Sequence, residues 1–487
     1  MAGLTLRLHL ATTLYLNPDE AMHALLSFGT FGDVLRNSLL VTHPPLLILI
    51  THAVSLVSRS EFALRLVPVL AGSVFPVLTY LWLRRVAGNV AGLTAMFILS
   101  LAPNLIALSA EIRSYTLALL FLSAALLALE EAFESGRILM MALYSVLLWA
   151  CILSDYSGAW FAGAAGIYAL LRLRGSPAGI KAVWAAGQVI GLALYAALFR
   201  LQIRVFHETG VMLEASGWLK GSFPHGSTLL TFPVVNTPKP FAFLFASVPL
   251  GVLASVIFVF ALWRLWTGKI AIDLRKSRAL AVLLAVPFAL GIATAYAGVL
   301  PYGRSRHTLV IQFFAAAGVA VFMQGLARRV AIAILCAALL LTPLWHWTAS
   351  RDPMEIDASR NRRELMLQCL DYMRANIPPG TRIFAEAETA LILAYYEGDG
   401  FPPLAAFTQG KFFDIPLGGR WRMAARDYIY TSLQEYQAAL AAFRIQYGMG
   451  VHEPVWIVMG GWNTDWMPPD PAPPFTRAVR IFESTSR

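Results

Sequence analysis

Ten apolar runs, each long enough to cross a bilayer, dominate this 487-residue chain. They fall at about 62–83, 89–108, 114–133, 138–154, 156–171, 182–203, 240–263, 279–300, 308–326 and 330–347. A backbone inside hydrocarbon must satisfy its own hydrogen bonds, so such runs specify helices. The composition agrees: 58% of residues are hydrophobic and 14% charged, with mean hydropathy +0.63. Soluble domains run nearer 45–50% apolar and roughly 25% charged. A soluble enzyme and a disordered chain are both excluded. Residues 1–16 give an eleventh run, interrupted by Arg7 and His9 and followed by Asn17-Pro18-Asp19-Glu20. Its brevity predicts a first helix that is incomplete as written, or one that is short and tilted.

Charge density divides the chain in two. About a fifth of residues 357–487 are charged, against about a tenth of those before. This predicts a membrane body over 1–350 and a water-soluble domain over 351–487. The net charge of +10 sits mostly in short loops, where Lys and Arg set orientation, so nucleic acid is not an expected partner. Cys151, Cys336 and Cys369 are too few and scattered for a disulfide framework or a zinc site.

The segment His43–Ser58 is apolar but only about 16 residues long and opens with Pro44-Pro45. It reads as a re-entrant or interfacial helix. Leaving it uncounted puts Arg84/Arg85, Arg137, Arg172/Arg174/Lys181, Arg264–Arg278 and Arg328/Arg329 on one face, the cytoplasmic one by the positive-inside rule. The opposite, extracytoplasmic face then carries Asn17–Glu20, Glu111–Tyr115, Ser154–Ser157, Tyr302–His307 and the C-terminal domain. Ionisable clusters at membrane depth are costly and point to function.

Each cluster admits more than one chemistry. Asp19-Glu20 can be a general base with a binding partner, a metal pair, or a helix N-cap. Pro44-Pro45 fixes His43 at the boundary, within reach of an anionic headgroup or of solvent. Glu111 and Tyr115 share a helix face, while Glu111 and Arg113 can neutralise each other. Asp155-Tyr156 is a turn between spans, a cavity lining, or both. Arg304, Arg306 and His307 place cations on the outer face, the wrong side for an orientation signal. Arginine forks suit phosphate oxygens, and a phosphate at a membrane surface most economically belongs to a lipid.

The order of these motifs resembles a known family. A short first span ends in Asp19-Glu20; His43-Pro-Pro-Leu46 follows, then Ser60-Glu-Phe-Ala-Leu-Arg-Leu66, Glu111-x-Arg113-x-Tyr115 and Asp155-Tyr156. Over residues 1–350 this is similar to the bacterial GT-C glycosyltransferases (family 39-like), relatives of the protein O-mannosyltransferases and of the aminoarabinose and galacturonosyl transferases of lipid A. The resemblance implies an all-α bundle of about 11 transmembrane helices plus the re-entrant helix, in a bacterial cytoplasmic membrane with an extracytoplasmic active site. It implies a polyprenyl-phosphate-sugar donor, a lipid, glycan or protein acceptor, and inversion at the anomeric carbon. The family's base maps to Asp19, with Glu20 beside it; its donor-phosphate residues map to His43, Arg304 and Arg306, with Arg113 and His307 as further candidates. Glu111, Tyr115, Asp155 and Tyr156 are left as substrate-binding candidates. Many relatives carry His where this chain has Asp155. No cofactor is implied; a divalent metal would use Asp19 and Glu111, but no ligand spacing defines it.

The C-terminal domain reads as a small α/β layer: a helix at 360–375, a strand at 382–385, a helix at 432–446, and strands at 455–459 and about 477–483. A rival reading of the whole, a multi-span transporter or flippase, expects internal repeats and charges at mid-depth. Neither is found.

Overall fold

The computed structural model describes residues 1–39, 41, 43–204, 219–270, 273–349, 362–398, 412–426, 432–450, 453, 455–459 and 480–484. The first half is helical throughout: α1 (Ala2–Thr13), α2 (Pro18–Leu26), α3 (Phe31–Ser38), α4 (Leu46–Ser55), α5 (Glu61–Val86), α6 (Asn89–Leu101), α7 (Pro103–Ser109), α8 (Tyr115–Ser135), α9 (Ile138–Ser154), α10 (Gly158–Arg172) and α11 (Ala178–Leu198). The bundle continues with α12 (Phe232–Asn236), α13 (Pro238–Leu244), α14 (Val248–Trp266), α15 (Leu274–Tyr296), α16 (Leu309–Gln324) and α17 (Arg328–Ala349).

The expected number of spans is not reached. Among the described residues seven helices are long and apolar enough to cross a membrane, or eight if the bent pair α6–α7 is one span. The shortfall lies at α1, α9 and α10, with 12, 17 and 15 residues. At 1.5 Å per residue they measure roughly 18–26 Å, less than the roughly 30 Å of hydrocarbon. The apolar runs that suggested them include residues outside the helices: Leu14–Leu16 leave α1 in an extended path, and Asp155 breaks α9 from α10. The run at 240–263 also breaks, at Ala246 (φ +46°), between α13 and α14. The Pro44-Pro45 segment yields only the ten residues of α4.

The 61° bend between α6 and α7 has a clear cause. Pro103 has no N–H, so the carbonyls at the end of α6 lose helical donors. Arg7 of α1, itself buried, donates to Ser100 (2.8 Å) and Leu99 (3.3 Å), and the His346 ring meets the Leu101 carbonyl at 2.9 Å. Three orphaned carbonyls thereby find partners from α1 and α17, and α7 is re-aimed toward the loop Ala110–Ser114.

The basic residues expected on one face do gather at one end of the bundle. Arg85 pairs with Glu131 (2.6 Å), Arg172 with Glu130 (3.2 Å), Arg264 donates to the Gly325 carbonyl (2.5 Å), and Arg275 to that of Leu171 (3.1 Å). The start of α2, the ends of α7 and α9 and the start of α16, which carry the polar motifs, lie at the other.

The C-terminal region comprises α18 (Arg363–Asn376), β1 (Arg382–Ala385), α19 (Ala387–Glu397), β2 (Phe413–Leu417), β3 (Trp421–Ala425), α20 (Leu433–Gln446), β4 (Val455–Met459) and β5 (Arg480–Ser484). Its strands form one mixed sheet in the order β2-β3-β1-β4-β5, with β1 parallel to β3 and β4 and both outer pairs antiparallel. Pro416 is tolerated because β2 is an edge strand. α19, β2 and β3 were not expected from the sequence. α19 is buried from Ala387 to Ala394, so it lacks the amphipathic period that announces a helix.

This domain shares a core with the membrane body. Tyr15, Leu16, Ala21, Ala24, Leu25, Leu64 and Ile112 cluster with Met366, Leu370, Leu391 and Leu393. A polar seam runs beside them. The Tyr396 hydroxyl donates to Glu61 and accepts from the Leu16 N–H (3.1 Å), Arg363 pairs with Glu61, and the Tyr395 hydroxyl donates to the Arg59 carbonyl (2.7 Å). Tyr396→Phe removes a donor from a buried carboxylate and orphans the Leu16 N–H. The expected cost is about 1–3 kcal/mol, read as a lowered unfolding midpoint in detergent; an unchanged midpoint would show that the seam does not hold the domain.

Candidate active site

The site grows from the N-terminus of α2. Asn17 caps that helix by accepting from the Glu20 N–H (3.0 Å), and the Glu20 carboxylate accepts from the Asn17 N–H (3.2 Å). This capping box, with Pro18 in the first turn, pins both acidic residues to the helix end, whose dipole favours them.

The neighbours then diverge. Glu20 turns inward to Arg65 of α5, with Nε and Nη2 each 2.7 Å from a carboxylate oxygen, and it also accepts from the Ile112 N–H (2.9 Å). The remaining Arg65 donors reach the carbonyls of Ala11 (3.1 Å), Leu14 (2.7 Å) and Tyr15 (3.0 Å) at the end of α1. All five guanidinium protons are used. Glu20 was expected beside the base as a catalytic partner; its oxygens are instead committed to Arg65, Asn17 and Ile112, which is a joint.

Asp19 faces the other way. Its Oδ2 lies 2.7 Å from Arg306 Nη2 and 3.0 Å from Arg113 Nη1. Burial would raise its pKa, but Arg113 and Arg306 outweigh this and hold it below the usual carboxylate range. Arg113 also donates to the Tyr115 hydroxyl (3.0 Å) and approaches His43 Nε2 (3.3 Å). Burial and the Arg113 charge keep His43 well below its ordinary pKa, hence neutral. His307 stands edge-on to Tyr115, ring centres 6.4 Å apart.

The structure therefore brings Asp19, His43, Arg113, Tyr115, Arg306 and His307 together, from four separate stretches of chain. Glu111 joins them: its carboxyl is pushed up to about 7, first by burial and then by Glu20, with Arg306 and Arg113 pulling the other way. Arg304 is half-buried on the Arg306 loop. Asp155 caps its own turn, accepting from the N–H (2.9 Å) and hydroxyl (2.6 Å) of Ser157, and feels Arg113 electrostatically. Tyr156 donates to Gln202 (2.8 Å), whose amide donates to the carbonyls of Ser38 (2.7 Å), Val41 (3.2 Å) and His43 (3.1 Å). Tyr156 thus braces the His43 loop through Gln202.

Arg65, His23 and Gln202 were not singled out in the sequence. Arg65 had a signal, a lone charge inside a spanning run; the other two had none. For a divalent metal, no three His, Cys, Asp or Glu side chains converge among the described residues, and a cation at Asp19 would have to displace two arginines.

Residues 42–210 match the dolichyl-phosphate-mannose-protein mannosyltransferase family. The solved structure of ArnT from Cupriavidus metallidurans bound to undecaprenyl phosphate is 14% identical, with TM-score 0.56 over 99% of this chain and 96% of that one. The chain shares the fold of that ArnT. A second likeness is the oligosaccharyltransferase of Archaeoglobus fulgidus tethered with an acceptor peptide, 11% identical, with TM-score 0.52 over 94% of this chain and 68% of that one. At these identities both likenesses are of fold. No curated protein sequence matches.

Two outcomes follow from this geometry. Arg65→Met strands Glu20 in the interior and is expected to cost about 3–5 kcal/mol, while adding Glu20→Met recovers part of the loss; unfolding midpoints compare them, and a double variant worse than the single would refute the pairing. Glu111 has a raised pKa, so between about pH 4.5 and 7 the folded chain keeps a proton that the unfolded chain has released. Its contribution therefore makes stability fall as pH rises through that window. Glu111→Gln should flatten the slope, and an unaltered stability–pH curve would count against it.

Proposed function

We propose that this membrane glycosyltransferase moves a sugar from a polyprenyl-phosphate donor to an acceptor hydroxyl, with inversion and with Asp19 as the base. The observation that carries the reading is the Asp19 carboxylate held between Arg113 and Arg306, at 3.0 and 2.7 Å. Two guanidinium groups suit a phosphate, and the carboxylate beside them suits a proton in transfer. The family match over residues 42–210 and the undecaprenyl phosphate bound by the ArnT of the same fold support a lipid-phosphate donor.

In the reaction the acceptor oxygen bonds to the anomeric carbon while the carbon–oxygen bond to phosphate breaks. The electron pair stays on the departing phosphate, whose charge Arg113 and Arg306 stabilise as it develops, with His43 at the edge of the seat. The acceptor proton passes to Asp19. Clamped by two cations, Asp19 is a weak base. The donor phosphate competes for the same N–H groups, so its arrival loosens the clamp and restores the carboxylate's basicity. Donor binding then precedes deprotonation of the acceptor. Arg304 and His307 add positive charge or hydrogen bonds on the same loop, and Tyr115 orients Arg113.

The acceptor is a lipid, glycan or protein hydroxyl, and the C-terminal domain packed on α2 would face it. The site lies at the bundle end opposite the basic loops, which supports an extracytoplasmic active site in a bacterial cytoplasmic membrane.

The test pairs transfer with donor binding. Asp19→Asn is expected to abolish transfer of labelled sugar yet bind undecaprenyl phosphate at least as tightly as the unmodified protein, because the arginines lose their internal competitor. Arg306→Ala should weaken that binding by more than about tenfold. Transfer by Asp19→Asn at the unmodified rate would refute the assignment of the base.

A further inference from the structure

Three buried side chains beside the arginine pair carry polar atoms that have no hydrogen-bond partner among the described residues. Glu111 is 4% exposed, and neither carboxylate oxygen has a hydrogen-bond partner among the described residues. His23 is 1% exposed; its Nδ1 lies 2.7 Å from the Asp19 carbonyl oxygen, and its Nε2 has no partner among them. A carbonyl only accepts, so Nδ1 carries the proton and the neutral ring presents a lone pair at Nε2. Ser114, next to Arg113, is 2% exposed with an equally unpartnered hydroxyl. Buried polar groups are nearly always paired, and exceptions call for a reason.

All three flank Arg113: the His23 ring lies 4.9 Å from that of His43, which Arg113 approaches at 3.3 Å, Glu111 stands two residues before Arg113 in the chain, and Ser114 directly follows it. Glu111 lies within electrostatic reach of Arg306, Arg113 and Asp19, and His23 of Arg113, Asp19 and Arg306. The His23 Nε2 lone pair only accepts, while the Glu111 carboxyl accepts at both oxygens when ionised and donates from one when protonated, so the ligand they lack must donate and can also accept. A phosphodiester oxygen cannot be that ligand, since it offers no proton to His23. Hydroxyl groups on adjacent carbons of a sugar ring can.

We propose that Glu111 and His23, with the Ser114 hydroxyl between donor and acceptor roles, form the subsite that holds the hydroxyls of the donor's sugar beside its phosphate. The proposal rests on reading Arg113 and Arg306 as the phosphate seat. Division of labour follows: the arginines bind the part common to every polyprenyl-phosphate sugar, and Glu111 and His23 read the part that differs. They are specificity residues, which makes sugar selectivity separable from carrier binding.

The experiment uses the whole chain in detergent, with bare undecaprenyl phosphate and three sugar-bearing forms as probes: a neutral hexose, a hexuronate and an aminopentose. At least one sugar form should bind more tightly than the bare carrier. Glu111→Gln should lose about tenfold or more in affinity for that form while its affinity for the bare carrier stays within about twofold. Glu111→Asp should fall between, and His23→Ala should show the same selective pattern. An equal loss for both probes means that Glu111 acts on the fold and overturns the subsite. So does a loss for neither, a loss confined to the acceptor's KM, or a panel in which no sugar form binds more tightly than the bare carrier. If the unmodified protein binds the bare carrier no better than Arg306→Ala does, the phosphate seat itself is refuted, and the subsite with it.

Discussion

One arginine joins the parts of this protein that must not move relative to each other. Arg65 enters from α5, gives its donors to the last carbonyls of α1 and closes a bidentate pair on Glu20 at the start of α2. A cation at the C-terminal end of one helix and an anion at the N-terminal end of the next satisfy both dipoles at once. Glu20 passes the connection on to the Ile112 N–H, which lies between Glu111 and Arg113 in the chain. The position of Asp19 against Arg113 therefore descends from the Arg65–Glu20 joint. A buried pair of this kind adds little net stability but is costly to break, which suits a device that fixes geometry.

The adjacent carboxylates show how one helix end performs two tasks. Successive residues on a helix point about 100° apart, so one acidic side chain meets the structural arginine and the other meets the mobile chemistry. Asp19 has two cations and Glu20 has one that is wholly committed. The C-terminal domain contributes from the far side: Tyr396 receives the Leu16 N–H just ahead of the cap, and α19 packs on α2. The soluble domain is thus part of the support of the site.

The short helices have a related logic. α1 and α4 are too short to cross a membrane by themselves, and α7 is the bent continuation of α6. The ends of α1 and α6 and the loop after α7 supply the carbonyls and the amide that Arg65, Arg7 and Glu20 bind. A bundle of uninterrupted spans would bury these groups in its own ladders and leave no backbone for a site to use.

The sequence by itself determined the membrane class, the charge division near residue 350, the basic end and the polar end, and most of the polar residues of the site. Those follow from composition and local order: apolar runs must be helices in lipid, and charges at membrane depth are too costly to be incidental. Its count of about eleven spans is not confirmed by helix length, because an apolar residue reads the same in a helix and in the extended stretch after it. It did not show α19, whose burial on all sides erases its period. Spacing alone did not distinguish Asp19 from Glu20, although the family resemblance pointed to Asp19 as the base. Only the tertiary structure separated their partners, because the distinction lies in which cation each one meets, and Arg65, Arg113 and Arg306 come from distant parts of the chain. Spacing along a sequence records which residues share a helix face; it carries no record of which faces are brought together when the helices pack.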